Sequence, residues 1–227
     1  MATTEVVSLT TQGVQPNSYC DMPSISADGR VIVFRSAAST FVSGDTNQST
    51  DIFAHDRAAS GFTSLCSPGL EGVIPCPCSN PPSRDQRGCD NSSATGGAKL
   101  TASGVAYLSM DTLVFTTSGE KPTATSVLLQ GTTQVTAGAP YGQGLRCTGG
   151  VLKRLYTKAA SGGSITVPEF SAGDPSVSAR SLARANQIYP GESRWYLVFY
   201  RDPVVLGGCP SSSTFNATQT GKVTWFP

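Results

Sequence analysis

Short runs of alternating apolar and polar residues, separated by Gly, Pro, Asn and Asp, recur along most of the chain. Such runs are typical of β-strands joined by tight turns. The clearest are residues 194–201 (RWYLVFYR) and 222–226 (KVTWF), whereas residues 176–183 fit either a strand or a short helix. Gly-rich turns return about every 8–12 residues, which is the spacing of strands in a β-sandwich. The pattern therefore predicts an all-β fold.

The remaining strands fall into two groups on either side of an irregular stretch. They are predicted at residues 4–9, 24–26, 31–35, 51–56 and 62–65 before it, and at 98–102, 106–108, 112–117, 125–130, 145–147, 151–157 and 164–167 after it. The stretch between them has four cysteines and five prolines within residues 66–89, and this many prolines exclude a helix or a central strand. We therefore predict a blade-like antiparallel unit (1–65), a Cys/Pro-rich joint stapled by disulfides (66–97) and a β-sandwich of Greek-key or jelly-roll type (98–227).

The strands of the first unit are short and closely spaced, which suggests one four-stranded blade that ends with residues 62–65. Asp28-Gly29 is a two-residue hairpin signal inside it. The segments PSIS (23–26), ADGR (27–30), VF (33–34), GDTN (44–47), DIF (51–53) and DR (56–57) resemble the TolB-type β-propeller repeat. Propellers close with roughly four to eight blades, and this sequence contains one repeat. Either further blades lie outside the sequence, or the single unit packs against something else.

The rest of the chain resembles an uncharacterised Cys-rich β module found at the C-termini of secreted proteins of environmental bacteria. The resemblance rests on short segments: CPC with Asn80, GC (88–89) with NS (91–92), GGA (96–98), ASG (102–104), DTL (111–113), LQG (129–131), Gly142 to Cys147 with GG (149–150), YRD (200–202) and VTW (223–225). It implies a secreted β module and brings no known activity.

Composition narrows the class of protein further. Charged residues make up 14% of the chain, against roughly 25% in soluble domains. The formal net charge is +1, without blocks of like charge, so nothing predicts binding to nucleic acid or to an anionic membrane surface. No apolar run is long enough for a membrane span. Residues 1–10 lack the features of a signal peptide, but seven cysteines favour an oxidising compartment. We expect an extracellular or cell-surface protein, with a cytosolic metal-binding chain as the alternative.

Six of the seven cysteines are predicted to form three disulfides, and they are Cys66, Cys76, Cys78, Cys89, Cys147 and Cys209. Cys76 and Cys78 are too close in sequence to pair comfortably with each other. We favour a Cys147–Cys209 bridge with two bridges inside the joint. A zinc site is disfavoured, because Cys-Pro-Cys has the wrong ligand spacing. Cys20 remains, either as a buried free thiol or as the site of an intermolecular bridge.

Two further parts of the sequence contain candidate functional residues. Asp45, Asn47 and Asp51 alternate in the loop GDTNQSTD and would offer oxygen ligands to calcium, although the spacing is not that of an EF-hand. The alternative is an Asx-turn network that closes a hairpin. His55 is the single histidine and has no nucleophile beside it, so we expect a structural role. Because no Gly-x-Ser-x-Gly elbow or catalytic carboxylate pair is present, we predict no enzyme, and no cofactor apart from this calcium.

The functional prediction is based on the presence of a single blade. One blade leaves two unpaired strand edges, and a loop of about a dozen residues after strand 4–9 would let that strand join a neighbouring sheet. We therefore predict an extracellular structural or interaction protein, a homo-oligomer or polymer such as a filament or surface layer. The alternative is a carbohydrate-binding module for polysaccharide, in which an aromatic face of strand 194–201 stacks on sugar rings. A fragment of a larger multi-blade secreted protein is the third reading.

Overall fold

The computed structural model describes residues 6–10, 14–27, 29, 31–42, 44–56 and 61–227. Its regular structure is almost entirely β, so the all-β prediction is confirmed. In chain order, the elements are β1 (Cys20–Ile25), β2 (Val31–Ser36), β3 (Asp51–Asp56), β4 (Phe62–Leu65), β5 (Lys99–Ser103), β6 (Ala106–Tyr107), β7 (Met110–Asp111), β8 (Val114–Ser118), β9 (Thr125–Gly131), β10 (Thr133–Tyr141), β11 (Gly144–Gly149), β12 (Lys153–Ala159), β13 (Thr166–Val167), a 3-10 turn (Phe170–Ala172), α1 (Val177–Ala183), β14 (Ser193–Arg201), β15 (Phe215–Ala217) and β16 (Thr220–Thr224).

A β-sandwich forms the body of the molecule. One sheet has the order β12-β9-β14-β16-β4, with β15 also paired to β14, and the other has the order β13-β8-β5. Strict alternation along β14 places Tyr196, Val198 and Tyr200 between the sheets, where all three are fully buried. The ring centroid of Tyr196 lies 4.6 Å from that of Phe115 on β8, which joins the two layers.

Helix α1 packs at the β12 end of the sandwich. Ser176 caps its N-terminus by accepting a hydrogen bond from the Ala179 amide. Ser181 then donates to the side chain of Gln130, which lies buried on β9. Of the two alternatives for residues 176–183, the helix is therefore the one that forms, because the serine cap and the buried polar partner both stabilise it.

The outer face of the large sheet is covered by the hairpin β10–β11. Leu197 and Leu129 are buried beneath it, so both faces of β14 lie inside the protein. Strand β10 was missing from the predicted strands. Its sequence TQVTAGAPY contains one bulky aliphatic residue, and the alternation signal is therefore weak.

The six cysteines from residue 66 onward form three disulfides: Cys66–Cys147, Cys76–Cys89 and Cys78–Cys209. The favoured Cys147–Cys209 pairing is wrong, and one bridge rather than two lies inside the joint. The physical reason is the position of β11. Leu65, at the end of β4, is the register partner of Thr220, and Thr220 Oγ1 accepts a hydrogen bond from the Cys147 amide at 3.3 Å. Cys66 and Cys147 therefore meet at the same point of the sheet.

Hydrogen bonds complete the folding of the joint. The carboxylate of Asp90 accepts from the amides of Gly96 and Gly97, at 2.8 and 3.1 Å. The Asn91 amide group donates to Tyr200 Oη at 3.2 Å, which ties the joint to β14. The Pro-rich stretch thus lies on the sandwich and shares its polar contacts.

The N-terminal unit is a separate antiparallel sheet with the order β1-β2-β3. The prediction that residues 62–65 form its fourth strand is wrong, since β4 pairs with β16 in the sandwich. Of the predicted strand at 4–9, residues 4 and 5 lie outside the described residues, and residues 6–9 belong to no strand. Asp28 of the predicted hairpin turn also lies outside the described residues.

Candidate functional site

The inner face of the N-terminal sheet carries its own small apolar cluster. Alternation along β2 buries Ile32 and Phe34 on one side. Phe41 comes from the following loop, and its ring centroid lies 5.4 Å from Phe34 and 4.6 Å from Phe53 on β3. Three aromatic rings therefore cover one face of a sheet that has only three strands.

A groove of about 300 Å³ opens beside this cluster. We call it the N-terminal groove, and its walls include Val7, Leu9, Phe34, Phe53, Tyr107 and Phe226. Val7 packs directly on the aromatic cluster. The segment 6–10 therefore forms part of the apolar wall of the groove and belongs to no strand.

The opposite wall of the groove belongs to the sandwich. Tyr107 Oη lies 3.0 Å from His55 Nε2, and the Tyr107 ring centroid lies 5.5 Å from that of Phe226. Backbone hydrogen bonds of 2.9 Å join Leu108 to Phe226 and Phe226 to Ala106. His55 is thus partnered by a tyrosine from a distant part of the chain. Phe41, Tyr107 and Phe226 had no signal in the sequence that would mark them as groove residues.

Exposed apolar side chains concentrate on the N-terminal unit. Among the described residues, fourteen large apolar side chains are exposed, and seven of them lie within residues 6–52, which is a small part of the chain. Those seven are Val6, Val14, Tyr19, Met22, Ile25, Val42 and Ile52. Concentrated apolar exposure marks surfaces that bind other proteins or membranes.

The two edges of the N-terminal sheet differ in character. Strand β1 contains Pro23 and a register shift between Asp21 and Ser24, features that protect an edge from further pairing. Strand β3 has six residues in unbroken register with β2. Its outer face exposes Ile52, at 71%, and Ala54. Of the two edges, β3 is therefore the better template for an added strand.

Cys20 lies at the start of β1, partly buried against the aromatic cluster. All seven cysteines belong to the described residues, and Cys20 is the one outside a disulfide. An intermolecular bridge at Cys20 stays a prediction.

The candidate calcium loop is arranged as a turn. The side-chain oxygen of Asn47 accepts from the Ser49 amide at 2.8 Å, which is an Asx turn. Its side-chain nitrogen donates to the Asp51 carboxylate at 3.2 Å. Calcium binding by Asp45, Asn47 and Asp51 stays a prediction. Within the described ranges, no cluster of three His, Cys, Asp or Glu residues could hold a metal ion.

The sandwich also contains buried carboxyl groups. Glu120 is nearly inaccessible and accepts a hydrogen bond from Ser126 Oγ. Burial raises the pKa of this carboxyl above its ordinary value. Asp202 is also buried and accepts from the Ser92 amide at 3.0 Å, with Lys121 Nζ 3.8 Å away. The Asp202–Ser92 hydrogen bond links the joint to the sandwich.

The aromatic residues of β14 lie on both faces of the strand. Tyr196 and Tyr200 belong to the core, and Phe199 meets Tyr141 and Phe215 edge to face at 5.8 and 6.0 Å. Trp195 and Phe199 are partly buried, and carbohydrate stacking on β14 stays a prediction.

In the part of the chain that the structure describes, no helix is long and apolar enough to cross a bilayer. Comparison with protein-family models, curated proteins and solved structures finds no match for this chain.

Proposed function

We propose that this protein is an extracellular structural subunit that polymerises by strand addition. The N-terminal segment of one copy would bind in the N-terminal groove of the next copy, alongside β3. The observation that carries the proposal is the position of residues 6–10. They line an apolar groove beside β3 and belong to no strand.

The energetics favour exchange of this segment between copies. Val7 and Leu9 bury apolar surface in the groove in either arrangement, so the apolar contribution is nearly the same within and between chains. An incoming segment that also pairs with β3 adds ladder hydrogen bonds, as in β-augmentation. It would also cover apolar side chains at this end of the sheet, such as Ile52.

The symmetry of such a contact leads to a polymer. A segment and a groove are different surfaces, so the contact is heterologous and each added copy presents a new groove. This yields a ring if the rotation closes and a filament if it does not. The three disulfides support an extracellular setting, since structural disulfides persist in oxidising compartments.

The proposal is tested by Val7→Asp, which places a carboxylate in the groove. Sedimentation velocity over a range of protein concentrations should show growing assemblies for the unaltered chain and a monomer for Val7→Asp. Val14→Asp is the matched control, because Val14 is exposed and does not line the groove. It should assemble like the unaltered chain.

A second measurement distinguishes self-assembly from the alternative that this chain is a fragment of a longer multi-blade protein. A variant that lacks residues 1–10 should bind a synthetic peptide of residues 1–12, and fluorescence anisotropy of a labelled peptide would detect this. If the unaltered chain stays monomeric at high concentration and the truncated variant binds no peptide, the assembly proposal is wrong. The N-terminal unit would then be better explained as one blade of a longer protein.

A further inference from the structure

A second groove, of about 370 Å³, lies between β12 and α1 on the sandwich. We call it the basic groove. Its charged lining residues are Arg154 and Lys158 on β12, Arg180 on α1, Arg184 just after it, and Asp174. Arg154 is the register partner of Leu129, so its guanidinium group lies on the other face of the sheet. Lys158, Arg180 and Arg184 therefore share the opening with Asp174.

The carboxylates near this groove are already engaged by Lys158. Its Nζ atom lies 2.9 Å from Asp174 and 3.3 Å from Glu169. Among the described residues, no carboxylate comes within 4.0 Å of Arg154, Arg180 or Arg184. The guanidinium groups of Arg180 and Arg184 therefore give the groove positive charge that no described carboxylate neutralises by direct contact.

One of these guanidinium groups is held in place by an aromatic ring. The Cζ atom of Arg180 lies 5.2 Å from the centroid of Tyr156. The Nε atom of Arg180 is buried and has no hydrogen-bond partner within the described residues. Stacked arginines lose little rotational freedom when they bind a planar oxyanion, because their side chains are already ordered.

Two simpler roles account for part of this arrangement. Arg154 and Lys158 on the edge strand β12 discourage unwanted strand pairing, and Arg180 near the end of α1 interacts favourably with the helix dipole. Neither role requires cations from both elements to line one groove. Moreover, Arg180 and Arg184 are four residues apart, a spacing at which like charges repel on a helix.

We propose that the basic groove binds a polysaccharide that carries carboxylate groups, such as a chain of uronic acids. Arginine forms paired hydrogen bonds with carboxylates. Beyond Lys158 the surface continues past Ser161 and Thr166, whose hydroxyl groups suit sugar hydroxyls, and past Glu169, which is paired with Lys158. This site is separate from the groove of the proposed assembly.

An acidic peptide fits the same groove less well. A bound peptide strand would need an unbroken ladder along the edge of β12, and the register of β12 shifts between Arg154 and Tyr156. It would also need apolar pockets at alternate positions, whereas the groove is lined mainly by charged and hydroxyl groups.

The test uses the full chain and three polymers: polygalacturonate, neutral dextran and poly-glutamate. Binding is measured by biolayer interferometry at low and high salt. We expect binding to polygalacturonate that weakens with salt, and no binding to dextran. The double variant Arg180→Gln/Arg184→Gln should lower the affinity at least tenfold. The matched control Arg84→Gln/Arg201→Gln removes two exposed arginines elsewhere and should leave the affinity unchanged.

Three outcomes would overturn the proposal. They are no binding to polygalacturonate, equal loss of affinity in the control variant, or binding to poly-glutamate as tight as to polygalacturonate with the same arginine dependence. The last would identify an acidic protein segment as the ligand. Sedimentation of the double variant should match that of the unaltered chain, which keeps this test separate from the assembly test.

Discussion

The imidazole of His55 and the phenol of Tyr107 form a hydrogen bond with 3.0 Å between Nε2 and Oη. His55 lies on the last strand of the N-terminal sheet and Tyr107 in the sandwich, so this bond joins the two parts of the molecule. It also lies on the wall of the N-terminal groove. Docking of the N-terminal unit and the shape of the groove are therefore linked through one side-chain pair.

Replacing Tyr107 by Phe should loosen this docking. The change removes the hydroxyl group and keeps the ring that packs on Phe226. A net loss of about 0.5–1.5 kcal/mol is expected for one hydrogen bond. Amide hydrogen exchange in β2 and β3 should become faster. Tyr189→Phe is the control. Among the hydrogen bonds described, the Tyr189 hydroxyl bonds only with Gln187, so amide exchange in β2 and β3 should not change. Equal exchange in all three proteins would contradict the prediction.

Removing the Cys78–Cys209 bridge should destabilise the sandwich. The bridge closes a sequence separation of 131 residues, and loss of a native disulfide typically costs about 2–5 kcal/mol. Guanidinium unfolding of Cys78→Ser/Cys209→Ser should show a lower midpoint. Cys20→Ser is the control, since Cys20 forms no disulfide. Mass spectrometry of the unaltered chain should count one free thiol; a count of seven would refute the disulfide assignment.

Gly221 on β16 should not tolerate a side chain. A methyl group there would overlap the ring of Phe62 on the neighbouring strand β4. Gly221→Ala should cost about 1–3 kcal/mol, as overpacking does in cores. The same change in a Phe62→Leu background should cost less, because a smaller side chain leaves room. Gly207→Ala, where the added carbon meets no atom within 4 Å, is the control. Equal costs in both backgrounds would show that Phe62 is not the obstacle.

Glu120 should make the protein less stable as the pH rises. Burial raises the pKa of its carboxyl in the folded state above the unfolded value, so the folded state binds more protons between these two pKa values. Stability from this group is complete below the unfolded pKa and falls as the pH increases towards the folded pKa. Glu120→Gln should therefore be more stable than the unaltered chain at about pH 8, and similar to it at about pH 4. Urea unfolding at both pH values measures the difference; an equal gain at both would exclude ionisation as the cause.

The sequence predicted the elements whose residues alternate strongly. Residues 194–201 became β14 because Tyr196, Val198 and Tyr200 face the core, and alternation reports that directly. The same signal found β2 and β3, and with them the aromatic residues Phe34 and Phe53 of the groove.

The sequence did not predict which distant strands pair. Residues 62–65 were recognised as a strand, but their partner is β16, and the close fit of Phe62 over Gly221 has no local signature. Disulfide pairing depends on the same long-range geometry. The basic groove is also invisible in sequence, because Lys158 and the two arginines come from different elements and only the packing of α1 on β12 brings them together.

The Cys66–Cys147 bridge has a mechanical consequence for a subunit that is held by its N-terminal unit. A pulling force on that unit would enter the sandwich through β4, and Cys66 follows directly after this strand. The bridge transfers the force to β11 and prevents the chain between Cys66 and Cys147 from being extended. With a sequence separation of 81, it secures a length of roughly 270 Å that the extended chain would otherwise release. Under tension, the chain between Cys66 and Cys147 would keep its length until this bridge is reduced.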